Sequence, residues 1–339
     1  MQIIRNFIDE TYPFFKQFLF LMNANNAHKN FTRFSRIVDR LGLEKFLFDN
    51  IDNLYFSPVV ISNAAGFNKN GEIPLRFMEY LGFDRVVVGT VCAKPFYGNP
   101  EPNIKRFRKT ESMVNWMGLP GKGVEFIAQK LKEYKSEIPI TINLAPTPDT
   151  KNVLDDIART LWHTRNILNI DRYELNISCP NTNKIEDFKF SLKDQIEVLE
   201  YEKMKSQEIY LKISPDLEEN EVDIILESVS ESQVKGITCT NSTKFHDEKY
   251  IYRNIGKGGA SGEAVYEKSL QMQKNFYNKM KKSELKIVAC GGINSRERLI
   301  ERINNGASEI QIFTPLIFKG PKLLRELRTT SYPVLQASS

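Results

Sequence analysis

Residues 138–177 read IPITINLAPTPDTKNVLDDIARTLWHTRNILNIDRYELNI. The apolar runs Ile138–Leu144 and Tyr173–Ile177 have the length of buried strands. The amphipathic stretch Asn152–Leu168 between them has helical spacing, so the segment predicts one parallel β–α–β unit. Outward from it the alternation repeats. Val59–Ser62, Arg85–Gly89, Ile209–Ser214, Val234–Thr238, Lys286–Ala289 and Glu309–Ile312 also read as buried strands, with amphipathic stretches such as Ser295–Asn305 between most of them. Eight β-then-α units over about 270 residues predict an α/β fold, a TIM (β/α)8 barrel. The two widest gaps hold polar, Gly-rich insertions, Lys94–Gly123 and Asn241–Gly262. In a barrel such insertions overhang the C-terminal mouth, where the chemistry is done.

Composition narrows the function classes. The 339 residues are 41% hydrophobic, 26% charged and 11% aromatic, which excludes a disordered chain, a collagen and a coiled coil. The four cysteines (Cys92, Cys179, Cys239 and Cys290) lie far apart and form no C-x-x-C pair. That argues against a metal site or a disulfide scaffold and for reduced thiols in a cytoplasmic-type compartment. A net charge of +5 without a long like-charge run gives no sign of a nucleic-acid partner. The apolar stretch Phe18–Met22 sits in a charge-free window, Gln17–His28, too short for the roughly 20 residues of a membrane span. It lacks the small-residue cleavage site of a secretory signal, so export is not expected.

Residues 1–50 are expected to form a helical cap and residues 51–339 the barrel. The first 60 residues hold 12 of the 37 aromatics, nearly twice an even share. Pro13 suits the first turn of a short helix carrying Phe14, Phe15, Phe18, Leu19 and Met22. Asn26 is placed to cap a second helix whose apolar stripe is Ala27, Phe31, Phe34, Val38 and Leu41, with Gly42 as its stop. Its opposite side carries Lys29, Arg33, Arg36 and Arg40. Two readings stay open: a cap packed on the main domain, or an interfacial patch that touches anionic lipid and admits an apolar ligand.

Residues following the expected strands converge on one mouth. They include Asn143, Asn176, Asn181 and Asn241, joined by Lys69, Lys212 and Cys179. Side-chain amides donate and accept, so such a ring suits a ligand rich in N–H and C=O groups. Gly291-Gly292 leaves backbone N–H groups accessible and Thr314 adds a hydroxyl beside the usual phosphate site of the seventh and eighth strands. A phosphate-bearing cofactor is therefore expected, and Gly259-Ala260-Ser261-Gly262 could reach it.

Eight motifs then carry a resemblance. They are Ala-Ala-Gly-Phe-Asn-Lys-Asn-Gly at 64–71, Gly-Thr-Val at 89–91, Tyr-Gly-Asn-Pro at 97–100, Asn-Ile-Ser-Cys-Pro-Asn-Thr at 176–182, Lys-Ile-Ser-Pro-Asp-Leu at 212–217, Thr-Asn-Ser-Thr at 240–243, Gly-Gly-Ala-Ser-Gly at 258–262 and Gly-Gly-Ile at 291–293. In order and spacing they resemble the dihydroorotate dehydrogenase family. Tyr12-Pro13-Phe14 and Ala27-His28 resemble the appended helices of its membrane-associated, quinone-reducing class 2 branch.

The resemblance implies oxidation of dihydroorotate to orotate on FMN in pyrimidine biosynthesis, with quinone as acceptor and peripheral membrane attachment on the cytoplasmic side. A base removes the C5 proton while C6 delivers hydride to the flavin. By resemblance that base is Cys179, whose thiol has an ordinary pKa of ~8.5 and so takes a proton more readily than a hydroxyl does. Cys92, Cys239 and Cys290 read as inert. Asn115, Asn176, Asn181, Asn241 and Ser242 are implied contacts of the pyrimidine and its carboxylate, and Lys69 is implied between FMN and substrate. Lys212 is implied near the flavin N1–C2=O side. Ala65, Gly66, Thr90, Asn143, Asn176 and Thr240 would line the isoalloxazine and ribityl chain, and Gly262, Gly292, Phe313 and Thr314 would hold the phosphate end. Arg106 and His28 match residues near the quinone tunnel.

Some residues depart from class 2. Its members usually carry Ser as the base, whereas Cys belongs to the soluble class 1 branch. Met117-Gly118-Leu119-Pro120 is class 1-like, Asn183-Lys184-Ile185-Glu186 lacks the usual Gly-Leu-Arg, Phe313 stands for a common Tyr and Asn103 for an Arg. The alternatives are a soluble enzyme using fumarate or another acceptor, and a flavin-binding interaction module without turnover.

Overall fold

The computed structural model describes residues 12–14, 16–44, 47, 59–177, 185–253, 255–280 and 284–330. Its strands, in chain order, are β1 Val60–Asn63, β2 Val86–Val91, β3 Ile104–Phe107, β4 Ser112–Asn115, β5 Ile140–Leu144, β6 Ile170–Asn176, β7 Glu208–Ile213, β8 Val234–Cys239, β9 Gly259–Gly262, β10 Lys286–Cys290 and β11 Ala307–Ile312. Eight of them form one parallel sheet in the order β1-β11-β10-β8-β7-β6-β5-β2. A parallel bridge between Ser62 and Arg85 brings its two ends together, which makes the sheet a barrel. Each expected run falls on one of these strands to within three residues. The reason is burial on both faces: Val86–Val91 is buried at every position, so it reads as an unbroken apolar run.

The helices between the strands stop where their caps dictate. Asn152 accepts from the Asp155 N–H ahead of Val153–Thr164, and Ser295 accepts from the Arg298 N–H ahead of Arg296–Asn304. Their apolar faces, including Ile157, Leu161 and Leu299, close over the sheet. Inside the barrel the alternate residues of several strands are polar. Near the bottom Arg172 donates to Glu309 at 2.7 Å, and the Ser62 hydroxyl donates to the same carboxylate at 3.1 Å. Both ions are buried, so each depends on the other for its solvation.

The two insertions pair with each other. β3, β4 and β9 make an antiparallel sheet in which Asn115 lies opposite Gly259. Sequence reading expects the insertions but not this pairing, because their strands are four residues long and rich in Gly, Lys and Arg.

Residues 12–14 and 16–21 are helical, and α1 follows as Ala24–Leu41. Phe15, expected in the first of these helices, lies outside the described residues, and Met22 follows its end as a bend. Asn23, not Asn26, caps α1: its side chain accepts from the Asn26 N–H at 2.8 Å. In a run with Asn at 23, 25 and 26, only Asn23 keeps the extended backbone (φ −64°, ψ 156°) that a cap needs. Gly42 ends the helix at φ 63°, as expected. The stripe divides, however. Val38 is buried and Phe31 meets Phe67 and Phe77 edge-on at 5.7 and 5.8 Å, but Phe34 and Leu41 are 48% and 62% exposed, with Ile37 at 57% between them. The buried side of α1 is instead Asn25, Thr32, Ser35 and Val38.

Candidate active site

Barrel strands bring their C-terminal ends to one mouth, and the insertion sheet and the cap lie over it. A continuous cavity of about 1230 Å³ fills the space between. Ligand pockets usually measure ~300–1,000 Å³, so there is room for two ligands end to end. Its deep part is lined by Ala65, Gly66, Lys69, Thr90, Asn115, Asn176, Lys212, Thr240, Asn241, Ser242, Gly262, Gly292, Phe313 and Thr314. Leu19, Phe20, His28, Phe31 and Arg106 line the part beneath the cap. Of the expected site residues, Asn143 is not in the lining: it is fully buried and its Nδ2 donates to Glu174 Oε1 at 2.8 Å. Cys179 and Asn181 lie outside the described residues.

The amides are organised by one another. Asn241 Nδ2 donates to Asn176 Oδ1 at 3.2 Å, while Asn241 Oδ1 accepts from the Ser242 N–H at 3.0 Å. Asn115 closes the ring from the insertion sheet, its Nδ2 donating to the Gly259 carbonyl at 3.4 Å. Two cations face this ring. Lys212 rises from β7 and donates to Gln311 Oε1 at 2.8 Å. Lys69 is half-buried because it opens onto the cavity and not onto bulk water, and this desolvation lowers its pKa to about 8. Beside it burial raises the Cys92 thiol to about 11. The His28 imidazole is pushed down, first by burial and then by the Lys69 charge. Burial likewise raises the Cys239 and Cys290 thiols, which fits the inert reading of all three.

At the far end of the lining, Ser261 Oγ and Thr314 Oγ1 lie 2.9 Å apart. Gly262, Gly291 and Gly292 have φ of 79°, 128° and 65°, a region side chains rarely adopt. A Cβ on Gly292 would meet the Tyr266 Cβ at 2.7 Å and the Gly262 carbonyl oxygen at 2.8 Å. Glycine here lets the backbone at 292 pack directly against Tyr266 and the Gly262 carbonyl, beside the two hydroxyls.

Two polar residues escape sequence reading, Gln311 in the lining and Glu174 buried beneath it. Their signal is period-2 polarity inside buried strands: Arg172, Glu174 and Asn176 on β6, Glu309 and Gln311 on β11. Arg106 lines the cavity, but its guanidinium is engaged with the cap. It donates to the Leu19 carbonyl at 3.1 Å and to the Met22 carbonyl, and lies 4.4 Å over the Phe20 ring.

Known proteins are similar to this chain along most of its length. A dihydroorotate dehydrogenase (quinone) of Haloarcula marismortui is 30% identical over 342 residues, covering 94% of this chain and 93% of that protein. One of Buchnera aphidicola is 32% identical over 278 residues, covering 79% and 82%. The crystal structure of DHODH from Eimeria tenella in complex with ferulenol superposes with a TM-score of 0.76 at 25% identity and covers 90% of each chain. The family profile described as dihydroorotate dehydrogenase matches residues 47–330, so the chain belongs to the dihydroorotate dehydrogenase family.

Proposed function

We propose that this protein oxidises dihydroorotate to orotate in pyrimidine biosynthesis, with FMN as its cofactor and a quinone as its electron acceptor. One observation carries the reading: a single cavity joins the amide-and-lysine ring at the barrel mouth to an apolar passage under the cap. The relatives' shared name, dihydroorotate dehydrogenase (quinone), agrees with it.

The residues present suit FMN. The glycine cradle at 262, 291 and 292 with the Ser261 and Thr314 hydroxyls suits its phosphate. Ala65, Gly66, Thr90 and Thr240 offer small side chains for a flat ring, with the Lys212 ammonium beside it. When bound, FMN supplies the acceptor for the hydride that leaves C6 of the substrate. Asn115, Asn176, Asn181, Asn241 and Ser242 hold the imide and carboxylate of dihydroorotate, each amide matching an N–H or C=O of the ring. Lys69 brings its positive charge to the substrate anion. Cys179 takes the C5 proton, made acidic by the adjacent carbonyl.

Residues 1–50 form a cap over a barrel of residues 51–339. His28 lines the quinone passage, and Arg106 pins the cap end above it. The exposed Phe14, Phe18, Leu21, Phe34, Ile37 and Leu41, with Lys29, Arg33, Arg36 and Arg40 nearby, make this cap a peripheral contact for an anionic membrane on the cytoplasmic side. Among the described residues no helix is long and apolar enough to cross a membrane. Anaerobic dihydroorotate should bleach the purified yellow protein, and ubiquinone or menaquinone should restore its colour faster than fumarate does. Rapid recovery with fumarate alone would refute the quinone assignment.

A further inference from the structure

Below the cavity lies a buried polar layer that none of the assigned roles explains. Its centre is Glu174, 1% exposed, on β6. Asn143 Nδ2 donates to its Oε1 at 2.8 Å, while Thr238 Oγ1 and Gln311 Nε2 donate to its Oε2 at 2.5 and 2.8 Å. The Lys212 ammonium is 4.0 Å from the same carboxylate and 2.8 Å from Gln311 Oε1. Gln311 therefore accepts from the cation and donates to the anion, which fixes the orientation of its amide. Five strands (β5, β6, β7, β8 and β11) each commit one side chain to this layer. A carboxylate removed from water is stable only when its lone pairs are met and a positive charge is near. Arg172, two residues below on β6, is already paired with Glu309.

We infer that Glu174 is a positioning residue that offsets the Lys212 ammonium and thereby limits how strongly that cation draws electrons onto the ring bound above it. The inference rests on the FMN reading. Lys212 lines the cavity on one side and faces Glu174 on the other, so the field at the ring is that of a partly neutralised pair. Without the carboxylate the lysine acts alone and favours the electron-rich state of the cofactor.

The test is the midpoint potential of the FMN-loaded protein at pH 7. Glu174→Gln keeps the side-chain size and leaves a polar partner for Asn143 and Thr238. It should retain wild-type FMN content and shift the two-electron equilibrium toward reduction about tenfold, a rise of about 30 mV. In a Lys212→Met background the same substitution should shift the equilibrium less than about twofold, because the mediator is gone. An unchanged or lowered potential in Glu174→Gln, or an equal rise in both backgrounds, would overturn the proposal. If Glu174→Gln sheds FMN, Glu174→Asp is measured in its place: its carboxylate is kept but withdrawn by one methylene, so the potential should rise by less than in Glu174→Gln, and no rise, or an equal rise in the Lys212→Met background, overturns the proposal. A wild-type protein that holds no FMN would refute the cofactor reading instead, so the two failures are distinguishable.

Discussion

Arg106→Met tests whether the cap is held over the cavity by one guanidinium. Two hydrogen bonds, to the Leu19 and Met22 carbonyls, would be lost, together with a cation–π contact over Phe20 at 4.4 Å. A hydrogen bond at a partly exposed site contributes about 1 kcal/mol net and the ring contact about 0.5–1, so the cap end loses roughly 2–3 kcal/mol. Arg108 limits the loss, since it donates to the Phe20 carbonyl and lies over the same ring at 5.1 Å. At 1.4 kcal/mol per tenfold, local opening should become roughly 30- to 150-fold more frequent. Hydrogen exchange of the amides of residues 16–22 reads this directly, since those in the last turn are protected only while the cap is seated. The KM for a short-chain quinone should rise, while flavin reduction by dihydroorotate stays within about twofold because the barrel mouth is untouched. Unchanged exchange over residues 16–22 would show that Arg106 does not pin the cap. Faster exchange with an unchanged quinone KM would show that this end of the cap is no part of the acceptor's path.

Cys179→Ala should bind FMN normally yet reduce it at least about 10²-fold more slowly in stopped flow; a near-wild-type rate would remove Cys179 from the mechanism. The Lys69 pKa of about 8 lies below the ordinary 10.5, so its charge is present at pH 7 and lost as pH rises through about 8. Orotate affinity in equilibrium titrations should therefore fall roughly tenfold per unit above that value, and Lys69→Met should abolish this slope. The Cys92 thiol, at about 11, titrates outside that window. Gly292→Ala adds a Cβ 2.7 Å from Tyr266 Cβ at φ 65°. It should cost about 1–3 kcal/mol in thermal unfolding and lower FMN occupancy; full occupancy would argue against the cradle. Replacing Phe34, Ile37 and Leu41 together by Ser should weaken sedimentation with anionic liposomes but leave FMN content and dihydroorotate-driven bleaching unchanged. Undiminished liposome binding would count against the membrane face.

The barrel was legible because its strands are buried on both sides and its helices on one, so each carries its own period along the sequence. Val86–Val91 and Val153–Thr164 announce themselves in this way. The mouth was legible for the same reason: residues that end consecutive parallel strands must meet, as Asn176, Lys212 and Asn241 do. What stayed hidden depends on partners far away in the chain. β4 meets β9 across some 145 residues, and neither strand is apolar enough to declare itself. Asn143 follows the same positional rule, but the division of its amide is not legible: Nδ2 donates to Glu174 on the neighbouring strand while the buried Oδ1 has no hydrogen-bond partner among the described residues. Arg106 lines the cavity as its position implies, but the carbonyls it also serves belong to a helix end more than 80 residues earlier, which no local pattern reveals.

The division of α1 into a buried polar side and an exposed apolar side has a physical cause that bears on function. Burying Phe34, Ile37 and Leu41 would each contribute about 1.5–3 kcal/mol, which a helix in contact with water alone would be expected to use. This helix instead turns Thr32 and Ser35 inward, and both hydroxyls donate back into the helix, Thr32 to the His28 carbonyl at 3.0 Å and Ser35 to the Thr32 carbonyl at 2.9 Å. Hydroxyls satisfied within their own helix need no partner from the surface beneath, and their small size allows a close approach. Asn25 completes the seal by donating to Asn103 Oδ1 at 2.8 Å, at a position where the class 2 pattern has an Arg. The cap thus docks with Phe34, Ile37 and Leu41 left largely exposed, the face proposed above for the membrane, while His28 and Phe31 of the same helix line the cavity. On that proposal, an acceptor dissolved in the membrane meets the same helix that lines the passage.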